Sequence, residues 1–232
     1  MSYPKKRKRM VNLLAKKVEP LLQILYKSYS KRKHDYNYYG LQIAVPPGIF
    51  NPQLSFSTKY LLRFLSKQNL AGYKFLEVGA GSGVISLLAA KSGAFVTSVD
   101  VNPLAVTCTR KNAEANQLVI NVILSDAFES IPVALFDIIV VNPPYYPKSP
   151  KNDSEKAWFC GVNFYFFRIF FSKLEAYSGV KTLIYMVLSE DCDIGEIKRI
   201  ASSKGFSMEV KDEKRIYWEV NYIFLIQSIN AN

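Results

Sequence analysis

Two short segments of this chain carry residue types that can do chemistry. The first is Glu77-Val78-Gly79-Ala80-Gly81-Ser82-Gly83, between the strand-like run Lys74–Val78 and the helix-like run Val84–Ser92. Small residues at such a junction let the backbone pass close to a ligand and let the helix pack close to its strand. Asp100 ends the next strand-like run, 17 residues beyond Gly83. That is near the spacing of about 20 at which an acid takes ribose hydroxyls. Asp126 ends a third run in Leu124-Ser125-Asp126-Ala127, where an acid can accept from an adenine amino group. The glycine spacing is G-x-G-x-G rather than the G-x-G-x-x-G of dinucleotide sites. A site ringed by Glu77, Asp100 and Asp126 disfavours a pyrophosphate and suits a sulfonium ligand with an amino group. Acids at these positions also cap helices, and that plainer role stays open for Asp100 and Asp126.

The second segment, Asn142-Pro143-Pro144-Tyr145, ends the strand-like run Phe136–Val141. Two successive prolines donate no backbone hydrogen bond, so their carbonyls can face a cleft. The Asn142 side-chain oxygen and a proline carbonyl make a pair of acceptors for an –NH2 group. Tyr145 offers a flat face for stacking a planar group. An amide or aromatic amine is a poor nucleophile because its lone pair is delocalised. Accepting its N–H bonds raises electron density on nitrogen, and a fixed geometry supplies proximity.

The elements that must position these segments alternate. Strand-like runs are Lys74–Val78, Phe95–Asp100, Val119–Leu124, Phe136–Val141, Val180–Leu188, Ser207–Val210 and Asn221–Gln227. Helix-like runs are Val84–Ser92, Pro103–Asn116, Ala157–Ala176 and Ile194–Ser203, with an earlier helix over Lys59–Lys67 capped by Ser57 or Thr58. The pattern predicts an α/β fold with a mostly parallel seven-stranded sheet and helices on both faces. The last two strands follow each other without a helix and form an antiparallel hairpin. Val45 to Pro52 is dense in proline and reads as an ordered loop. The aromatic cluster from Trp158 to Phe171 reads as a helix buried against the sheet, with one ring reaching the cleft.

With 232 residues, 49% of them hydrophobic, the chain suits one domain with an appendage, and global disorder is excluded. The formal charge of +11 is unevenly distributed. Residues 1–33 hold 11 basic residues and one acid, Glu19, while residues 34–232 are close to neutral. Leu14, Val18, Leu21, Leu25 and Tyr29 recur with helical spacing. Residues 1–40 are therefore read as a basic helical extension that can contact RNA or a ribosome, and residues 41–232 as the main domain. His34 is the only histidine, which excludes a histidine-rich metal centre; it reads as a solvated residue. Cys108, Cys160 and Cys192 match no metal spacing and indicate a reducing, cytoplasmic setting. No apolar stretch reaches membrane-spanning length, so no membrane span is expected.

Together, the glycine-rich turn, Asp100 and Asn142–Tyr145 resemble the class I S-adenosylmethionine-dependent methyltransferases of the N-methylating Asn-Pro-Pro-Tyr type, over about residues 41–230. The resemblance implies a Rossmann-like fold and S-adenosyl-L-methionine as cofactor. It implies that Glu77, Gly79, Gly81 and Gly83 line the methionine part, that Asp100 holds the ribose hydroxyls and that Val101 flanks adenine. Asp126 and Ala127 would contact adenine, and Asn142, Pro143, Pro144 and Tyr145 would present the target nitrogen, with Asn142 also beside the cofactor. Within that class the chain is most similar to HemK/PrmC-like enzymes, through Val45–Pro52 and Ala157–Asn163. Those enzymes methylate a glutamine amide in release factors, which makes a protein substrate the first expectation. Cys160 and Phe164 stand where those enzymes carry glycine, and Gln53–Thr58 lacks the acid most relatives carry there. Adenine-N6 methyltransferases acting on RNA or DNA share the same tetrapeptide, which keeps RNA open as the acceptor.

Overall fold

The computed structural model describes Tyr29, residues 31–216 and residues 219–229. Apart from Tyr29, the expected helix over residues 10–29 lies outside the described residues, as does the basic run at 5–9. The described part of the expected extension is a strand instead. β1 (His34–Tyr38) pairs antiparallel with β2 (Leu41–Val45), His34 opposite Val45. His34, Tyr36 and Tyr38 alternate inward with exposed Asp35 and Asn37, the period of a strand. His34 is accordingly half-buried and partnered rather than freely solvated: its ring stacks on Tyr29 at 3.7 Å, and its Nε2 lies 2.7 Å from the Tyr29 carbonyl.

The main sheet has seven strands: β3 (Lys74–Val78), β4 (Phe95–Asp100), β5 (Ile120–Leu124), β6 (Phe136–Val141), β7 (Ser178–Ser189), β8 (Phe206–Ile216) and β9 (Glu219–Ser228). Their spatial order is β5-β4-β3-β6-β7-β9-β8. The first five are mutually parallel, and β9 runs antiparallel between β7 and β8. This is the expected Rossmann-like sheet with its terminal hairpin.

Each face carries its own core. On one face lie α1 (Phe56–Leu65), α2 (Val84–Lys91), α3 (Pro103–Ala115) and the β1–β2 hairpin. On the other lie α4 (Tyr165–Lys173) and α5 (Ile194–Ser202), with Phe128, Phe167, Phe170 and Phe171 at its centre. The hairpin is fastened to α3 by two side-chain amides. Asn112 bonds the N–H and C=O of Ala44, both at 2.9 Å, and Asn116 bonds those of Gln42 at 2.9 and 2.7 Å. The rise of about 6 Å over four helical residues matches the roughly 6.6 Å between alternate strand residues, so the two asparagines satisfy the open edge of β2.

Two helices depart from expectation. α1 begins at Phe56, and its cap is Ser55, whose Oγ accepts the Thr58 N–H at 3.1 Å. Ser57 and Thr58 are thereby released from capping. The helix expected over Ala157–Ala176 forms only from Tyr165 to Lys173. Upstream, Trp158 to Cys160 bond the backbone of Tyr145 and Tyr146 instead, and Gly161, Asn163 and Phe164 all have positive φ, which no helix accommodates. Among the described residues no helix is long and apolar enough to cross a membrane.

Candidate active site

A cleft opens at the carboxyl ends of β3, β4 and β6, where the chain departs from β3 in opposite directions. Open α/β sheets bind ligands at such a switch point. It brings together Gly79, Gly81, Asp100, Val101, Asp126, Ala127 and the whole of Asn142–Tyr145. Residues 48–50 and the segment around Asp153–Trp158 close the opposite side.

The three glycines of the turn do different work. All have positive φ: 86°, 56° and 78° for Gly79, Gly81 and Gly83. A Cβ built on Gly79 or Gly81 meets nothing within 4 Å, so these two present bare backbone to the cleft. A Cβ on Gly83 would lie 2.6 Å from Thr109 Cγ2 and 2.8 Å from its Oγ1. Gly83 therefore stands behind the cleft wall and lets α2 pack against α3.

Glu77 also sits apart from the cleft. Its carboxylate accepts the backbone N–H of Ser86 at 2.9 Å and the Ser86 hydroxyl, tying β3 to α2. It is 2% exposed. Burial pushes its carboxyl up to about 8, against the two bonds from Ser86, and Asp100 adds to the rise. The acids on the cleft wall are Asp100, Asp126 and Asp153. Lys156 faces them, paired to Asp153 at 2.8 Å.

Asp100 is fixed in place by the turn. Oδ2 accepts the Gly81 N–H and Oδ1 the Asn102 N–H, both at 2.8 Å. Each oxygen keeps a lone pair. Burial still raises this carboxyl above the usual range, with partial relief from the backbone N–H groups of Gly81, Asn102 and Val101 and from Lys156. An incompletely solvated acceptor on a cleft wall gains from added hydroxyl donors, as a ribose supplies. With the open backbone at Gly79 and Gly81, the donor set fits an adenosyl sulfonium ligand.

Asn142 is fixed at both ends of its amide. Nδ2 donates to Thr58 Oγ1 at 3.0 Å, and the Tyr145 hydroxyl donates to Oδ1, also at 3.0 Å. Burial pushes the Tyr145 phenol far up, so it is a neutral donor. Tyr145 and Tyr146 are anchored by bonds from their N–H groups to the Trp158 carbonyl. Trp158 meets Phe50 edge-on at 5.0 Å, and Ser154 bonds the Gly48 carbonyl at 3.1 Å. These contacts join the proline-rich loop to the segment after Asn142–Tyr145 across the cleft mouth. Of the aromatic cluster from Trp158 to Phe171, two rings line the cleft, Trp158 and Phe166, rather than the one expected. Sequence reasoning passed over Ser57, Thr58 and Lys156. The two closing segments were marked by resemblance, without any sign that they meet.

The family model for the methyltransferase small domain matches residues 40–158. The chain belongs to that family. It is 34% identical over 111 residues to a candidate protein N5-glutamine methyltransferase of Methanocaldococcus jannaschii, covering 47% of this chain and 54% of that one. To the human methyltransferase HEMK2 it is 33% identical over 148 residues, 59% of this chain and 69% of that protein. The chain spans about half the length of the first of these curated relatives. Among solved structures, the Thermus thermophilus 16S rRNA N2 G1207 methyltransferase, bound to AdoMet and guanosine, aligns with a TM-score of 0.61 at 22% identity. That alignment covers 85% of this chain and 50% of the other. The family and these neighbours agree with the expected fold and with S-adenosylmethionine as cofactor.

Proposed function

We propose that this protein is an S-adenosylmethionine-dependent N-methyltransferase acting on a planar amide or amino nitrogen, and that its acceptor is a protein glutamine of release-factor type. The observation that carries the reading is a single cleft lined at one end by Gly79, Gly81 and Asp100 and at the other by Asn142–Tyr145. Gly79 and Gly81 lie against the methionine part, Asp100 takes the ribose hydroxyls, and Val101, Asp126 and Ala127 border the adenine. When bound, S-adenosylmethionine supplies a methyl group activated by its sulfonium centre. Asn142 Oδ1 and a proline carbonyl accept the N–H bonds of the target, holding its lone pair toward the cofactor end. The Tyr145 ring stacks on the planar acceptor. The cleft needs no side-chain base of its own, since the nitrogen becomes acidic as its new bond forms and can release its proton to water.

The protein acceptor is supported by the likeness to HEMK2 and the archaeal relative, and by a body with almost no net charge. A second reading, adenine in ribosomal or transfer RNA, is favoured by the basic residues 5–33, which would hold RNA while the body does the chemistry. Incubation with methyl-labelled cofactor and either release factor or ribosomal RNA separates the two. Label is expected in the protein. Label in RNA alone selects the second reading, and label in neither removes both. Asn142→Ala is expected to abolish transfer while leaving S-adenosylhomocysteine binding intact; near-normal transfer refutes the role given to the amide.

A further inference from the structure

Three hydroxyl residues open α1, and all are buried: Ser55, Ser57 and Thr58. Only Ser55 is used as the cap. The others join a circuit behind the cleft. Asn142 Nδ2 can only donate, so Thr58 Oγ1 accepts from it at 3.0 Å. Thr58 then sends its own proton to Ser55 Oγ, 2.9 Å away. Ser55 Oγ lies 3.0 Å from Ser57 Oγ. Ser57 lowers the otherwise raised pKa of the Tyr145 phenol, and the phenol donates to Asn142 Oδ1 at 3.0 Å. Five side chains thus form a hydrogen-bonded run, Ser57–Ser55–Thr58–Asn142–Tyr145, whose two ends turn back toward each other as a ring, and Thr58 Oγ1, by donating to Ser55, is committed as the acceptor for Asn142.

We infer that this ring fixes the sense of the Asn142 amide, so that the target nitrogen meets the oxygen and not the NH2 group, and that Thr58 is the positioning residue on which it depends. The inference rests on the acceptor role proposed for Asn142. An amide oxygen and an amide nitrogen have nearly the same shape, so packing cannot choose between them; hydrogen-bond partners must. A reversed amide turns N–H toward an incoming –NH2 group, donor against donor. As found, Oδ1 takes one bond from Tyr145 and keeps a second lone pair for the target. Valine at 58 would set a methyl group against Nδ2–H and strand a buried donor, a costly state. The amide then relieves it by turning Nδ2 toward the phenol oxygen and the cleft. The ring thus selects for primary amides and exocyclic amines, which bring donors.

The test compares Thr58→Val with Thr58→Ser in the full-length protein. Thr58→Val is expected to lower kcat about tenfold for label transfer to release factor, with S-adenosylhomocysteine affinity within about twofold of wild type. Thr58→Ser is expected to restore most of the rate. A second readout needs no acceptor: the Asn142 side-chain NH2 signal in a nitrogen-15 spectrum of the S-adenosylhomocysteine complex. Its Thr58-bonded proton should exchange slowly in wild type and Thr58→Ser, and fast in Thr58→Val. Should Thr58→Val fail to fold, Thr58→Ala takes its place with the same expectation for proton exchange. An unchanged NH2 signal overturns the inference, as does unchanged kcat. Parallel loss of kcat and cofactor affinity also overturns it, since that marks a merely structural threonine. If Asn142→Ala itself retains turnover, the fault lies with the proposed acceptor role and not with the ring.

Discussion

Gly83 and Gly81 lie two residues apart in one motif, yet alanine at the two positions should fail in different ways. At Gly83 the new Cβ meets Thr109 Cγ2 at 2.6 Å and Oγ1 at 2.8 Å, in a backbone with φ of +78°. The left-handed backbone costs about 1–2 kcal/mol for a non-glycine residue. Overpacking against a fully buried neighbour adds roughly 1–3 kcal/mol. A total of about 3 kcal/mol lowers the melting temperature of a domain this size by roughly 6–12 °C. Gly83→Ala should do this with cofactor affinity unchanged at a temperature where the variant is folded. Adding Thr109→Ala removes the two closest clashing atoms and leaves only Thr109 Cβ, at 3.0 Å, so the double variant should recover most of the overpacking part and retain the backbone part. The pair then shows a favourable coupling of about 1 kcal/mol or more. Gly81→Ala meets no atom within 4 Å. It should lose only about 1–2 kcal/mol of stability but weaken S-adenosylhomocysteine binding, because its Cβ enters the cleft. Denaturant melts and calorimetric titration of these three variants and of Thr109→Ala alone measure all of this. Weakened cofactor binding in Gly83→Ala without loss of stability would refute the division of labour, as would a double variant no more stable than Gly83→Ala.

Other outcomes follow from the same geometry. Asp100→Ala removes the acceptor proposed for two ribose hydroxyls, each worth about 1.5–3 kcal/mol to a charged partner, so S-adenosylhomocysteine affinity should fall about a hundredfold or more by calorimetry. Glu77 is held in the fold at about 8, well above its ordinary value of 4.5. The folded state therefore binds the proton more tightly, and the stability this contributes is lost as pH rises from about 4.5 through about 8. Glu77→Gln, which can still bond Ser86, should flatten the melting temperature against pH across that interval; an unchanged slope counts against it. Removing residues 1–28 takes away eight of the eleven basic residues of the tail. RNA retention should then fall and lose most of its salt dependence, while S-adenosylhomocysteine affinity holds.

The sheet was readable because its strands are buried on both faces and so stand out as short apolar runs between helical patterns. β3, β4 and β6 start and end where those runs do. The β1–β2 hairpin was missed because Pro46, Pro47 and Pro52 drew attention to the loop after it. Its stability also comes from elsewhere, with Asn112 and Asn116 of α3 completing the edge of β2. Lys156 and Trp158 were hidden for a related reason. Trp158 was read as part of a long helix that Lys156 immediately precedes, and only the positive φ angles at Gly161, Asn163 and Phe164 free that stretch to fold over the cleft.

The candidate site divides along the same line. Spacing along the chain marks residues that a strand end must deliver, so Gly79, Asp100 and Asn142 could be named without a structure. It does not say which side of a turn faces the cleft, and Glu77 and Gly83 were therefore grouped with Gly79 and Gly81, which line it. Nor does it say that Asn142 should meet Asp100's cleft at all. That meeting depends on β4 leaving β3 on one side and β6 on the other, so that three loops far apart in sequence converge. The hydroxyls behind Asn142 lie one step further from legibility. Ser55, Ser57 and Thr58 look like ordinary capping residues, and any of them could have started the helix. Once Ser55 takes that role, the other two are turned inward beneath Asn142. The orientation of a single amide, on which the choice of acceptor nitrogen depends, is thus set by where a helix happens to begin.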